Sequence, residues 1–128
     1  MSIPIQIPYG FQFLGEYSGH SAAVKFVVHN PTLNHCISVD SKSMRLWEEP
    51  SGVELKRITF PHTQPDYIIA AAYIPDKSVY VASASDNTFR IYDSALDVVT
   101  VGNTGIRAIL SLVYNARSRE LIAGGINI

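Results

Sequence analysis

Short apolar stretches separated by turn-forming residues recur along this chain at intervals of about ten residues, which is typical of an all-β domain. Within several stretches apolar and polar residues alternate, so that opposite faces of each strand differ. The stretches fall into two sets of four, followed by an incomplete third set. The predicted strands are 24–31, 36–39, 44–47 and 54–60, then 68–74, 79–83, 88–92 and 97–101, then 106–114 and 121–124.

The two complete sets share a motif at a fixed separation. Met44–Glu48 and Phe89–Asp93 lie 45 positions apart, and each reads apolar, Arg, apolar, aromatic, acid. The flanking residues keep a similar separation, since Pro31 and Pro75 lie 44 apart. A period of roughly 40–45 residues indicates an array of repeats whose units cannot bury their own apolar faces alone.

The repeat divides the whole chain into one partial array. The first stretch, 11–17, has the character of the fourth strand of a unit, because each complete unit ends in a similar stretch that leads into the next loop. The predicted organisation of residues 1–128 is a leading strand at 11–17, a first repeat at 20–60, a second at 62–101 and a truncated third at 103–128.

The motif pairs connect this chain to a known family. Gly19-His20 followed by Trp47-Glu48, with a looser copy in Pro61-His62 and Tyr92-Asp93, resembles the WD-repeat β-propeller family, and the resemblance runs from about residue 11 to 127. It implies an all-β fold, a partial WD-repeat β-propeller made of four-stranded antiparallel blades. Propellers have four to eight blades, so this chain alone is not expected to close the ring.

The resemblance also implies a buried hydrogen-bond relay in each blade, which joins a loop His, an Asp in a turn, a Ser or Thr in the second strand, and the Trp. Such a relay holds one arrangement of loop and blade, because a buried polar group is costly unless it is paired. In the first repeat the Asp position falls on Ser41, with Asp40 one place early. In the second repeat the Ser/Thr position falls on Ala82, with Ser83 adjacent, so neither relay is expected to be complete. The residues assigned to the relay are His20, Trp47, His62, Asp86 and Tyr92.

Composition and charge indicate the compartment of the protein and the classes of partner that it is expected to bind. Hydrophobic residues make up 47% of the chain, without the run of about 18 apolar residues that a membrane helix needs. The N-terminal residues lack the basic start of a secretory signal, and the one cysteine, Cys36, suits a reducing compartment. A net charge of −1 without a basic block argues against nucleic-acid binding. The prediction is a cytoplasmic protein with no membrane or nucleic-acid partner, with ciliary or nuclear association left open.

The sequence offers little for catalysis. It has no G-x-S-x-G elbow, phosphate-binding glycine loop or H-E-x-x-H pair. His29 and His35 flank a turn, but two histidines are too few to predict a metal site. His20 and His62 have serine and acidic residues nearby, and we interpret them as structural loop residues rather than members of a catalytic triad. No catalytic residue, metal or cofactor is predicted, and the protein is not expected to be an enzyme.

The predicted function is a non-catalytic protein–protein interaction scaffold. In the family, the loops that lead into the first strand of each repeat lie on the face that commonly meets partners, and these loops differ most between repeats here. Tyr and Arg are enriched at binding hot spots. The predicted partner-binding residues are Tyr67, Arg107, Asp66 and Gln64.

The short length leaves open strand edges at both ends, which favour pairing with other chains. A fragment or truncated form of a larger WD-repeat protein is the favoured explanation, and closure by self-association or by another subunit are the others. A carbohydrate-binding propeller, formed by self-assembly of short chains, is the alternative function, because the seven tyrosines could line sugar pockets.

Overall fold

The fold was determined as a computed structural model, which describes residues 19–49, 51–103 and 109–125. Within these ranges the protein is all-β, as predicted, apart from one 3-10 turn at Pro75–Lys77. The strands are β1 (Phe26–Asn30), β2 (His35–Val39), β3 (Ser43–Glu48), β4 (Glu54–Thr59), β5 (Ile68–Ile74), β6 (Val79–Ala84), β7 (Thr88–Tyr92), β8 (Val98–Asn103), β9 (Ile109–Asn115) and β10 (Glu120–Gly125).

The strands form three antiparallel sheets in chain order. Sheet 1 is β1-β2-β3-β4, sheet 2 is β5-β6-β7-β8, and sheet 3 pairs β9 with β10. The two four-stranded antiparallel sheets confirm the predicted blades, and the described strands do not close a ring. Predicted and observed strand ends differ by at most two residues wherever both are described. The predicted leading strand at 11–17 lies outside the described residues.

The motif that repeats in the sequence occupies the same place in both complete sheets. Trp47 lies on β3 and Tyr92 lies on β7, the third strands of sheet 1 and sheet 2. The pairing register shifts at the same point in each case, between Leu46 and Trp47 and between Ile91 and Tyr92. A bulge at the same point bends the strand and turns the aromatic side chain in the same way. The sequence period is therefore also a period of backbone geometry.

The core lies between sheet 1 and sheet 2. β2, β3 and β6 contribute alternate side chains to it, which is why apolar residues recur at every second position in these strands. The buried residues of this core are Ile37, Val39, Met44, Leu46, Phe60, Ile68, Tyr73, Tyr80, Ala82, Ala84, Tyr92 and Leu96. At one end of the core, Asn30 Nδ2 donates to Tyr80 Oη over 3.0 Å and links the two sheets.

The tight turns of the sheets repeat a left-handed residue at the same position. Asn34, Ser78 and Arg119 each have φ between 53° and 58° in the turn that joins the first two strands of a sheet. Gly52 and Leu96 share this conformation in the turn between the third and fourth strands, with φ of 74° and 68°. A leucine is unfavourable there, but Leu96 is only 1% exposed, and its burial compensates.

Sheet 3 packs through β9 against β5 and is otherwise mostly exposed. Asp76, in the 3-10 turn of sheet 2, holds it at one end. The Tyr114 hydroxyl donates to Asp76 Oδ2 over 2.8 Å, and Arg119 Nε lies 3.5 Å from the same oxygen. Sheet 3 is thus fixed to sheet 2 at its inner strand and at one turn.

Candidate functional site

A buried relay joins a loop to the blade in the first repeat. Trp47 Nε1 donates to Ser38 Oγ over 2.7 Å, and Ser38 Oγ is also hydrogen-bonded to His20 Nε2. The other ring nitrogen, Nδ1, lies 2.6 Å from Asp40 Oδ2. The Trp47 side chain is 3% exposed and Asp40 is 0% exposed, so the chain of hydrogen bonds is closed to solvent. His20 and Trp47, two residues assigned from the sequence, are brought together here.

The expectation that this relay would be incomplete, with Ser41 at the Asp position, was wrong. Asp40 fills the position from seven residues before Trp47, whereas Asp86 lies six residues before Tyr92. Asp40 Oδ1 accepts from the N–H of Ser43, and Asp86 Oδ1 accepts from the N–H of Thr88, the residue that corresponds to Ser43. Counting back from the aromatic residue at a constant offset therefore misses the carboxylate by one position.

The hydrogen bonds of the relay run in one direction. The Trp47 N–H can only donate and the Asp40 carboxylate can only accept, so with a neutral His20 ring the Ser38 hydroxyl donates to Nε2 and Nδ1–H donates to Asp40. Asp40 Oδ1 also accepts from the backbone N–H groups of Lys42 and Ser43, over 2.7 and 2.6 Å. Burial raises the pKa of the Asp40 carboxyl, but these bonds and the bond from His20 outweigh it and hold the pKa below its usual value.

The order Ser38, His20, Asp40 is also the order of a hydrolase triad, yet its surroundings indicate a structural role. A catalytic serine must present its oxygen to a substrate carbonyl. Ser38 is 6% exposed, and its oxygen already accepts from Trp47 while its proton is directed to His20. Both hydrogen-bonding capacities of the hydroxyl are used inside the blade.

Arg45 extends this network, and the sequence analysis did not assign it. The guanidinium donates to the Gly19 carbonyl and to Ser43 Oγ, the latter over 3.2 Å, and Nε lies 3.7 Å from Glu54 Oε1. Gly19 has φ of 150°, and a Cβ there would lie 3.0 Å from the guanidinium, so this contact requires glycine. The signal in the sequence was the arginine at the second position of both motif copies.

The second repeat uses a different polar group at the corresponding place. The Tyr67 hydroxyl donates to Asp86 Oδ2 over 2.8 Å and accepts from Arg90 Nε and Nη2 over 3.0 and 2.6 Å. The Arg90 guanidinium also lies 5.2 Å from the centre of the Tyr67 ring. Burial raises the pKa of Tyr67, and the bond to Asp86 adds to the rise. Tyr67 is thus built into the blade, as well as being a predicted partner-binding residue.

The remaining residues assigned to the second relay are separated. His62 is exposed, whereas Tyr92 is 3% exposed in the core. The serine beside the expected position, Ser83, donates to the Ile109 carbonyl of sheet 3 over 2.9 Å. Asp86 belongs to the Tyr67 cluster described above. The histidine relay of the first repeat is thus replaced by a Tyr–Asp–Arg cluster in the second.

The loop between the complete sheets, residues 61–67, carries three of the four predicted partner-binding residues. Gln64 and Asp66 are exposed, and Tyr67 is half-buried against Phe60, with ring centres 6.0 Å apart. The Asp66 N–H donates to the Ser41 carbonyl over 2.7 Å, and its carboxylate pairs with Lys25. The loop is therefore fixed at its end while its middle faces solvent. The fourth residue, Arg107, lies outside the described residues.

The other side chains considered for metal binding or reactivity, His29 and Cys36, have surroundings that favour a structural role. His29 Nδ1 lies 3.0 Å from Glu49 Oε1. Burial raises the pKa of the Cys36 thiol, and the nearby Glu49 adds to the rise, which disfavours the reactive thiolate. In the described part of the chain, no cluster of three or more His, Cys, Asp or Glu side chains could hold a metal ion. Nor do these residues include a helix of sufficient length and hydrophobicity to cross a bilayer.

Comparison with known proteins gives a family match and a relative. The family model described as WD domain, G-beta repeat, matches residues 11–48 and 54–93, together more than half of the chain. A relative is the U3 small nucleolar RNA-associated protein 15 homolog of Xenopus tropicalis, 33% identical over 86 residues. The match covers 66% of this chain and 16% of the relative. The second family match begins at β4 of sheet 1 and continues through β7 of sheet 2.

Proposed function

Because the chain belongs to the WD-repeat family, we propose that it is a non-catalytic scaffold for protein–protein interaction. The observation that carries this proposal is the 61–67 loop, whose end is held by Ser41 and Lys25 while Gln64 and Asp66 stay exposed. A fixed loop with exposed polar groups loses little conformational entropy when a partner binds. Arg107 belongs to the same proposed face, by its position in the repeat.

The use of polar groups within the blades supports a non-catalytic role. The His20–Ser38–Asp40 chain is directed into the core, and the Tyr67–Asp86–Arg90 group satisfies its own hydrogen bonds. Catalysis requires such groups to face a substrate. In this protein they hold the loops in position, and the loops then offer a rigid surface for recognition.

We further infer that the chain is part of a larger WD-repeat protein. The chain spans about a sixth of the length of the curated relative that it matches, since the match covers 16% of that protein. The two-strand sheet 3 gives independent support, because its outer strand and apolar side chains would be covered by a continued array.

The relative also suggests where the protein acts. That protein is named for its association with a small nucleolar RNA. We propose that this chain works in a nuclear assembly, in place of the cytoplasmic location predicted from composition. With a net charge of −1, its contribution to such an assembly would be through protein partners rather than through phosphate contacts.

Gln64→Arg tests the proposed face. The tagged chain and its variants are expressed in cells, and co-purified proteins are quantified by mass spectrometry. Gln64→Arg should lose a defined set of partners, because a bulky charge then occupies the middle of the loop. Thr32→Arg adds the same charge to an exposed turn of sheet 1, between β1 and β2, and should keep them. If both variants retain the same partners as the unmodified chain, the loop is not the binding face.

A further inference from the structure

The outer strands of the two complete sheets differ in their protection against pairing with other chains. β4, the edge of sheet 1, reads Glu-Leu-Lys-Arg-Ile-Thr, and β8, the edge of sheet 2, reads Val-Val-Thr-Val-Gly-Asn. On β4, Glu54 and Arg57 form an ion pair and Lys56 pairs with Asp97. Charged side chains are a common defence of an exposed sheet edge, and β8 has none.

The valines of β8 are exposed in addition to being uncharged. Val98, Val99 and Val101 are 50%, 61% and 46% exposed. β8 is the last strand of sheet 2, and among residues 19–49, 51–103 and 109–125 no strand lies on its outer side. No strand within these ranges pairs with the backbone N–H and C=O groups on that side, so they can accept a further strand.

A pocket of about 270 Å³ lies beside this edge, between sheet 1 and sheet 2. Its apolar wall comes from both sheets, and Arg90 contributes a charged group. Gln64 and Tyr67, two of the residues already assigned to partner binding, also line it. The large side chains that line it include those of Ile58, Phe60, Tyr67, Arg90, Tyr92 and Val98.

We propose that β8 docks an extended segment of a partner protein, which pairs with β8 and places one bulky apolar side chain in the pocket beside Val98. The inference rests on the scaffold function proposed above and names the kind of partner. Backbone pairing supplies affinity in this mode, and a side-chain pocket supplies specificity.

A second copy of this chain fits the edge less well than a different partner. If β8 paired with β8 of another copy, the face bearing Val98 would gain only Val98, Thr100 and Gly102 from that copy. Thr100 and Gly102 are small, and neither fills a pocket of 270 Å³. The edge and the pocket together therefore select a segment with a Leu or an aromatic residue.

The direct probe is a synthetic peptide of alternating polar and apolar residues, acetyl-Thr-Val-Glu-Leu-Thr-Val-Thr-amide, labelled for fluorescence anisotropy against the full chain. We expect saturable binding. Replacement of the peptide Leu by Ala should weaken binding by about tenfold or more, because the pocket is left empty. A peptide with Pro in place of the second Thr cannot pair along its length and should not bind.

The chain variant copies the protection of β4 onto β8. By strand register, Val98 and Val101 correspond to Glu54 and Arg57, so the double change Val98→Glu and Val101→Arg recreates an ion pair that sheet 1 already accommodates. This variant should melt as the unmodified chain does and lose peptide binding. The matched control is Leu110→Glu with Val113→Arg on exposed positions of β9, which should still bind.

Several outcomes would overturn the proposal. They are an absence of peptide binding to the unmodified chain, equal binding by the β8 double variant, or equal binding of the Leu and Ala peptides. A chain that dimerises through β8, becomes monomeric with the double variant and ignores the peptide would show a second copy as the occupant. Loss of partners by Gln64→Arg alongside any of these results would leave the scaffold function in place and reject only this docking mode.

Discussion

At the scale of single residues, the most consequential group is the Asp40 carboxylate, which is buried and accepts hydrogen bonds from His20 and from two backbone N–H groups. Its ionised form is part of the fold, since both oxygens accept hydrogen bonds and protonation of either one weakens the bonds made to it. The position of the loop that carries His20 therefore depends on the charge of one side chain in the β2–β3 turn.

The stability of the protein should fall in acid because of Asp40. Its pKa is lower in the folded state than in the unfolded chain, where it is about 3.9. The stabilisation is complete at pH values well above the unfolded pKa and is lost as the pH falls through the folded pKa. Asp40→Asn should lower stability at neutral pH and flatten its dependence between about pH 5 and 2. Urea unfolding across this range measures both effects.

The matched control for Asp40→Asn is Glu120→Gln, which removes an exposed carboxylate from β10. It should leave the unfolding curve close to that of the unmodified chain at each pH. An Asp40→Asn variant with the original acid sensitivity would mean that other carboxylates cause the loss of stability.

Trp47 and Asp86 should differ in their contribution to stability. Trp47→Ala removes a buried ring and the donor to Ser38, and should cost roughly 3–5 kcal/mol. Asp86→Ala removes the acceptor of Tyr67, but Asp86 is exposed and water can replace it, so the cost should be about 1 kcal/mol or less. Urea melts of the two variants rank them, and a larger loss for Asp86→Ala would contradict this assignment.

At the scale of the elements, the turns show how one backbone conformation serves two packing roles. Gly52 and Leu96 occupy the same left-handed position between the third and fourth strands. Glycine adopts this conformation without steric cost. For Leu96 the burial of its side chain in the core offsets the steric cost of the conformation. The second sheet therefore combines a turn residue and a core residue in one position.

Glycine substitutions at two left-handed positions should have different effects. Leu96→Gly relieves the unfavourable backbone but removes a buried side chain, so a net loss of roughly 2–4 kcal/mol is expected. Ser78→Gly relieves the same conformation at an exposed turn and should change stability by less than about 1 kcal/mol. Thermal and urea unfolding of both variants provide the test. Equal losses would show that the turn, and not the buried side chain, determines stability.

The elements also show which structural features can be predicted from the sequence alone. Strands were predictable because each has an apolar face of period two and is bounded by turn residues. The first relay was misread because its carboxylate, Asp40, lies seven residues before the aromatic residue, whereas Asp86 of the second repeat lies six residues before Tyr92. The contacts of Tyr67 with Asp86 and Arg90 were not predictable, because they join three segments that only the folded sheet brings together.

At the scale of the whole molecule, sheet 3 differs from the other two sheets. An apolar groove of about 490 Å³ lies between sheet 3 and strands β6 and β7 of sheet 2, and its walls include Phe89, Ile91 and Leu121. Met44 and Leu46, which correspond to Phe89 and Ile91 in sheet 1, are each 1% exposed beneath sheet 2. The groove is thus the space that a third strand of sheet 3 would fill if that sheet had four strands like the other two.

We expect the isolated chain to self-associate through β10 and this groove. Leu121 is 39% exposed and Ile122 is 54% exposed, and within the described residues β10 has no strand on its outer side. Sedimentation velocity at several concentrations should show oligomers, and an extension that supplies two further strands should yield a monomer. Leu121→Glu should reduce association, whereas the β8 double variant should not. A compact monomer at all concentrations would show that the third sheet is capped in another way.

The family repeat and the sheet are out of phase, and this has a consequence for how such proteins change length. The unit at 54–93 finishes one sheet with β4 and begins the next with β5, β6 and β7. If a gene duplication inserts one such unit, its first strand completes the sheet before it. Its last three strands form a sheet that is completed by the first strand of the unit that follows. Every internal sheet then remains four-stranded, so recombination can add or remove a unit without leaving an unfinished blade inside the array.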